Sequence, residues 1–135
     1  MIAATELRLV LVTPEKTLLD LPVKSLRFPL YDGQMGVLPG RAPLVGRLGM
    51  GELKFDSASG SERFFIDGGF VQIKGTVVTL LTNRALPVGE IDVQKTRADL
   101  EAALALKPTD ETGFAQKATA LERAKKMLTL KNAHF

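Results

Sequence analysis

The sequence predicts an α+β protein, in which an N-terminal antiparallel β-sandwich is followed by a C-terminal antiparallel hairpin of two helices. In the first two thirds of the chain, short apolar runs alternate with Gly, Pro, Asp and Ser breaks at the spacing of an all-β domain. After Pro87, Gly and Pro nearly vanish, and the helix-favouring residues Ala, Leu, Lys, Glu and Gln dominate. We therefore expect two domains, a sandwich over residues 1–87 and a helical hairpin over residues 88–135.

Eight apolar runs are the candidate strands of the sandwich. In the first run, Leu7, Leu9 and Leu11 recur with a period of two, which places one face of the strand in a core. The polar segment 56–60 is expected to form a hairpin loop. The runs cover residues 7–12, 23–30, 35–38, 44–48, 52–55, 63–66, 70–73 and 76–81.

Local signals set the ends of the two helices. Asp92 is expected to be the N-cap of a first helix that ends near residue 106, because Pro108 prevents its continuation. Either Thr109 or Asp110 can cap a second helix, which extends almost to the C-terminus. The segment around Pro108 is the expected hinge of the hairpin.

The composition of the hairpin leaves its role open. Its apolar stripes are rich in Ala, which buries little area, so a weakly docked and movable hairpin and a permanently packed one both fit the sequence. From residue 116 onward five Lys and Arg residues face only Glu122. This basic helix is either a solvated face with cations near a helix C-terminus or a segment that docks on an acidic surface.

The composition also excludes several classes of site. With no Cys and with His134 as the only His, the sequence contains neither a disulfide framework nor the residues of the usual metal clusters and catalytic triads. Gly68-Gly69 lacks the strand-turn-helix context of a phosphate loop, so this pair predicts a bulge or a tight corner. The net charge of +3 is too small to indicate a basic stripe for nucleic acid, and the sequence has no Trp that could stack on bases. We therefore expect no catalytic residue, no metal and no nucleic-acid partner.

No run approaches the roughly 20 apolar residues that span a bilayer, and the first residues lack the pattern of a signal peptide. We therefore expect a cytoplasmic protein whose membrane association, if any, is peripheral.

Two blocks of sequence resemble a known family. Residues 32–44, Asp-Gly-Gln-Met-Gly-Val-Leu-Pro-Gly-Arg-Ala-Pro-Leu, resemble the Gly-hydrophobic-Leu-Pro-Gly-His-Ala-Pro-Leu signature of the epsilon subunit of the bacterial-type rotary ATP synthase. Residues 66–71, Ile-Asp-Gly-Gly-Phe-Val, and residues 77–81, Val-Val-Thr-Leu-Leu, resemble two strands of the same family. The resemblance implies a non-catalytic subunit of the central stalk, which couples proton or sodium flow to ATP synthesis.

The resemblance assigns roles to two neighbouring groups of residues. The residues expected to face the membrane-embedded c-ring are Tyr31, Asp32, Gly33 and Gln34. The residues of the structural corner that follows are Leu38, Pro39, Gly40 and Pro43. Arg41 stands where the family usually has His, and Gln34 stands where an acidic residue is common.

The resemblance also implies the partners of the chain. The sandwich would bind the gamma subunit and rest on the c-ring, and the hairpin could extend along gamma and inhibit ATP hydrolysis at the catalytic beta and alpha subunits. The side chains expected to pair with an acidic segment of beta are Arg123, Lys125 and Lys126. Such a subunit would be peripheral, on the cytoplasmic face of the cell inner membrane.

Some relatives bind ATP through an Ile/Leu-Asp-x-x-Arg-Ala motif, where this chain has Ile91, Asp92 and Lys95 followed by Thr96. Lys does not reproduce the forked guanidinium, so ATP is at most a weak regulatory ligand, and a plain capping role for Asp92 is the alternative. No other cofactor is implied. Two further classes remain open, a free-standing sandwich module that binds a protein or a sugar, and a small ATP-sensing regulator.

Overall fold

The computed structural model describes residues 7–37 and 43–132, which form two compact units divided between Pro87 and Val88. The strands of the first unit are β1 Leu7–Val12, β2 Thr17–Val23, β3 Ser25–Leu30, β4 Gly33–Val37, β5 Leu44–Ser57, β6 Gly60–Lys74, β7 Val77–Leu81 and β8 Ala85–Pro87. The second unit contains a 3-10 turn over Val88–Glu90, α1 over Val93–Ala105 and α2 over Glu111–Asn132.

The strands form one continuous sheet that folds over a single core. Their order is β2-β1-β7-β6-β5-β3-β4, and β8 pairs separately with β6. The long strand β6 pairs with β7 through its C-terminal half and with β8 through its N-terminal half. All pairings are antiparallel except that of β1 with β7, which is parallel. The α+β class predicted from the sequence is confirmed, with one parallel pair added to the expected antiparallel sandwich.

Alternation along the strands builds the core. Leu9 and Leu11 of β1 are fully buried, as are Phe28 of β3 and Phe55 of β5. Each such side chain contributes about 1.5–3 kcal/mol by leaving water. The opposite residues of the same strands, such as Arg8, face outward.

The sequence did not predict β2 and β8, and it divided β5 and β6 into two runs each. β2 contains Asp20 and Pro22, which interrupt the apolar pattern, but it is an edge strand, where a Pro is tolerated. Gly49 looks like a break within β5, yet a Cβ added there would lie 2.6 Å from the main-chain O of Leu30. The glycine allows close approach of two strands and does not end one.

Gly68 and Gly69 form a sharp irregularity within β6. Both residues have positive φ angles, of 71° and 108°. A Cβ on Gly69 would lie 1.8 Å from the main-chain O of Leu81 on the neighbouring strand. The expected tight corner is present, and only a residue without a side chain fits it.

The helical unit follows the predicted capping. The Asp92 carboxylate accepts a hydrogen bond of 3.1 Å from the N–H of Lys95 at the start of α1. At α2, the Asp110 carboxylate accepts one of 2.7 Å from the N–H of Gly113. Within residues 7–37 and 43–132, no helix has the length and apolar character that crossing a bilayer requires.

Candidate docking surfaces

The four residues assigned to the c-ring turn share one exposed hairpin tip. β3 ends at Leu30, which pairs with Gly33 at the start of β4, so that Tyr31 and Asp32 form the turn between them. Tyr31, Asp32, Gly33 and Gln34 are all exposed. The tip is therefore available to a partner as one contiguous feature.

Tyr31 is tied to β5 by both its backbone and its ring. Its N–H donates a hydrogen bond of 2.9 Å to the main-chain O of Arg47. The guanidinium carbon of Arg47 lies 4.7 Å from the centre of the Tyr31 ring, which is a cation–π contact. The ring nevertheless remains exposed, with 71% of the residue accessible to solvent.

Arg47 begins a line of residues that crosses four strands, which we call the outer row. Arg47 of β5 stands opposite Phe70 of β6, Phe70 opposite Leu81 of β7, and Leu81 opposite Val12 of β1. Phe70 is 59% exposed and Leu81 is 50% exposed. Adjacent large apolar side chains that remain accessible to this extent mark an interaction surface more often than isolated ones do.

The apolar character is concentrated at this end of the face. The next row on the same side of the sheet contains the polar residues Gln72 and Thr79 beside Val45 and Val10. Thus the face changes from apolar to mixed within about 7 Å along the strands.

An open groove of about 430 Å³ follows the outer row. Arg47, Phe70, Leu81 and Val12 line it together with Gly69 and the neighbouring Pro14. Thr82 also lines the groove and is buried; its hydroxyl accepts a hydrogen bond from the N–H of Asp67 and donates one to the O of Arg84. The groove offers apolar walls and one guanidinium, which suits an apolar side chain of a partner.

Most of the predicted structural corner lies outside the described residues. This holds for Leu38, Pro39 and Gly40, and also for Arg41. Pro43 is described; it is exposed and directly precedes β5.

The three residues considered for ATP do not form a common surface. Ile91 is buried, whereas Asp92 and Lys95 are exposed at the start of α1. The Asp92 carboxylate is engaged as the N-cap. The structure thus supports capping by Asp92, and ATP binding stays a prediction.

The three basic residues considered for contact with beta differ in exposure. Lys125 is exposed, whereas Arg123 and Lys126 are half-buried on α2. Within residues 7–37 and 43–132, no group of His, Cys, Asp or Glu side chains could hold a metal ion.

Sequence reasoning missed the outer row. A signal was present, because residues 77–81 are apolar at positions facing both sides of the sheet. Strands of that composition are typical of sheets that are covered on both faces. The pattern is therefore typical of a sheet with a second covered face.

The fold and the outer row are typical of a class of protein that docks on partners through an exposed sheet face. Residues 6–88 match the family described as the beta-sandwich domain of the ATP synthase delta/epsilon chain. The chain belongs to this family, and it is a non-catalytic stalk subunit of the rotary ATP synthase. The resemblance inferred from residues 32–44, 66–71 and 77–81 is confirmed.

Relatives and solved structures agree with this assignment. The ATP synthase epsilon chain of Rhodopirellula baltica is 42% identical over 122 residues, which cover 90% of this chain and 95% of the relative. The sodium ion specific epsilon chain of Propionigenium modestum is 38% identical over 71% of this chain and 70% of its own length. A chain of the Euglena gracilis mitochondrial ATP synthase, solved with OSCP, F1 and the c-ring, has a TM-score of 0.84 at 29% identity, covering 96% of this chain and 83% of that chain.

Proposed function

We propose that the sandwich docks on the gamma subunit through the outer row and on the c-ring through the turn at residues 31–34. The chain then rotates with both partners and helps to couple ion flow to ATP synthesis. The observation that carries the proposal is the outer row itself, an exposed apolar line next to an exposed hairpin tip.

The chemistry of the two surfaces supports different partners. Phe70 and Leu81 would form the apolar centre of a lasting interface, because the fully buried core of such interfaces is depleted in charge and rich in aromatic residues. Asp32, Gly33 and Gln34 are small or polar, and they suit hydrogen bonding to a polar loop. In this proposal gamma therefore binds the outer row, and the c-ring binds the polar turn.

Binding to purified gamma tests the first half of the proposal. Phe70→Ser in the full chain should raise the Kd for gamma at least about 30-fold, because a loss of about 2 kcal/mol is typical of a central aromatic contact. Val77→Ser is the matched control and should leave the Kd unchanged. Val77 lies on the same face of the sheet as Phe70, stands opposite Lys74 outside the outer row, and is 37% exposed. If the unaltered chain does not bind gamma, the stalk assignment of these surfaces is wrong.

The hairpin serves as a regulatory element in this proposal. In an extended conformation, Arg123, Lys125 and Lys126 pair with an acidic segment of beta and inhibit ATP hydrolysis. Lys125 is exposed and Arg123 and Lys126 are half-buried, so Lys125 is the most accessible of the three to a partner. All three side chains belong to the second compact unit of the structure, which begins at Val88.

Hydrolysis by the catalytic complex tests the regulatory role. A chain that ends at Val88 and the full chain with Arg123, Lys125 and Lys126 replaced by Ala should both raise ATP hydrolysis. If only the truncation raises hydrolysis, the hairpin inhibits by other contacts. If neither variant does, the helices serve packing or assembly.

The same proposal predicts where the chain lies in the cell and how it responds to ATP. Through the c-ring the chain is a peripheral component at the membrane, and we place it on the cytoplasmic face of the inner membrane. ATP at Ile91, Asp92 and Lys95 would have to compete with the helix cap, so it acts at most as a weak regulatory ligand. Saturable binding of ATP by the isolated chain at physiological concentration would instead favour an ATP-sensing regulator.

A further inference from the structure

We infer that Tyr31 belongs to the gamma-docking surface, and that Arg47 is the positioning residue that holds it there. This inference rests on the proposed function, because it extends the outer row. It changes one assignment of that proposal, the contact of Tyr31 with the c-ring, which is the role that the family resemblance implies.

The geometry separates Tyr31 from the rest of the turn. Its backbone N–H and its ring both contact Arg47, through a hydrogen bond of 2.9 Å and a cation–π contact of 4.7 Å. Asp32 completes the turn, and Gly33 and Gln34 begin β4, where Gln34 stands opposite Pro29 of β3. Hence Tyr31, one of the two turn residues, lies against Arg47 of β5 and so adjoins the outer row.

Through Arg47 the apolar surface becomes continuous. Arg47 stands opposite Phe70, and Phe70 stands opposite Leu81, so the aromatic ring of Tyr31 extends the row by one further large side chain. A guanidinium stacked on an aromatic ring is planar and weakly hydrated, and it is therefore less costly to cover with a partner than an ammonium. Tyr and Arg are also among the residues that dominate binding energy at interfaces.

The groove indicates the chemistry of the matching surface on gamma. Its apolar walls, including Phe70 and Leu81, accept an aliphatic or aromatic side chain. The guanidinium of Arg47 carries five N–H donors, and such a group suits a carboxylate or a main-chain carbonyl. We expect gamma to present an apolar side chain next to such an acceptor.

Equilibrium binding of full-chain variants to purified gamma provides the first test. Tyr31→Ser and Arg47→Met should each raise the Kd about 10-fold, which corresponds to about 1.4 kcal/mol. Tyr31→Phe retains the ring and should stay within about twofold, and Arg47→Lys should be intermediate because it keeps the charge but loses the planar stack. The double variant should raise the Kd by less than the product of the two single fold-changes, since the two residues act as a pair.

Gln34→Ala, at the second position of β4, is the control. It should leave the Kd for gamma unchanged and reduce ATP-driven ion pumping by the reconstituted synthase. An unchanged Kd for Tyr31→Ser, together with reduced pumping, would overturn the inference and return Tyr31 to the c-ring contact. If the unaltered chain fails to bind gamma, the proposed function fails before this inference is reached.

A cross-link identifies the neighbour of residue 31 directly. The chain has no Cys, so Tyr31→Cys introduces a single thiol that can carry a photoreactive maleimide. In the assembled synthase, we expect the product to contain gamma, while the same label on Gln34→Cys should capture the c subunit. Capture of the c subunit from position 31 and not of gamma would contradict the inference, whatever the effect of the substitution on affinity.

Discussion

The ammonium of Lys117, in the second turn of α2, donates a hydrogen bond of 2.9 Å to the main-chain O of Leu106, the C-cap of α1. The same group donates one of 3.2 Å to the O of Leu104. The last carbonyls of a helix have no partner within the helix, and a cation there also interacts favourably with the helix dipole. Lys117 therefore joins the two helices at the closed end of the hairpin.

Replacing Lys117 by Met should loosen that end. The substitution keeps the aliphatic stem and removes the donor, and we expect a loss of about 1 kcal/mol of local stability. Hydrogen exchange of the amide groups in the last turn of α1 should therefore accelerate about fivefold. Lys125→Met, at an exposed position of the same helix, is the control and should change nothing in α1. Equal exchange rates in both variants would show that the contact contributes no stability.

Gly69→Ala should be the most damaging exchange of a glycine for alanine in the sandwich. The φ angle of 108° is unfavourable for any residue with a Cβ, and that atom would lie 1.8 Å from the main-chain O of Leu81. We expect a loss of about 3 kcal/mol or more in the free energy of unfolding, measured with urea. Gly36→Ala is the matched control, because a Cβ there has no neighbour within 4 Å, and it should change stability by less than about 0.5 kcal/mol. Similar losses in both variants would refute the close approach at Gly69.

The parts of the fold that depend on neighbours in sequence could be predicted. Asp92 and Pro108 bound α1 because capping and proline geometry act within a few residues, and α1 ends at Ala105 as expected. β5 could not be predicted as one strand, because its passage through Gly49 depends on contact with Leu30 of β3. Such a contact is fixed by the packing of distant strands, which a local pattern does not contain.

The same distinction applies to the docking surfaces. The turn at residues 31–34 follows from a contiguous motif, and the structure gathers its residues at one tip. The outer row requires the registers of four strands at once, and the pair of Tyr31 and Arg47 joins residues from separate strands. The apolar positions on both faces of β7 indicate a sheet that is covered on both sides. The pattern does not indicate which residues of the neighbouring strands stand beside Leu81 in the outer row. The roles assigned to individual residues stay predictions.

Acid should weaken the sandwich through Asp56. Hydrogen bonds from the hydroxyl of Ser61 and then from that of Ser25 hold the pKa of Asp56 below its ordinary value of 3.8. Because the folded state binds this proton less readily than the unfolded state, the carboxylate contributes stability above that value, and the contribution is lost as the pH falls below it.

Urea unfolding at pH 7 and at pH 3 tests the role of Asp56. The difference in the free energy of unfolding between the two values should be smaller in Asp56→Asn than in the unaltered chain. Asp99→Asn, at an exposed position of α1, is the control and should retain the full difference. An identical pH dependence in Asp56→Asn and in the unaltered chain would exclude Asp56 as a source of the acid sensitivity.

Two substitutions of Asp92 separate capping from nucleotide binding. The Asn side chain can accept the hydrogen bond from the N–H of Lys95, whereas Ala cannot, so Asp92→Ala should cost about 1 kcal/mol and Asp92→Asn only a few tenths. Thermal unfolding, monitored by the circular dichroism signal of the helices, measures both losses of stability. Calorimetric titration of the same variants with ATP measures their affinity for the nucleotide. If the carboxylate serves as a cap, stability should distinguish Ala from Asn while ATP affinity remains weak in all three chains. A selective loss of measurable ATP binding in Asp92→Asn, with its stability intact, would instead show that the charge of Asp92 contacts the nucleotide.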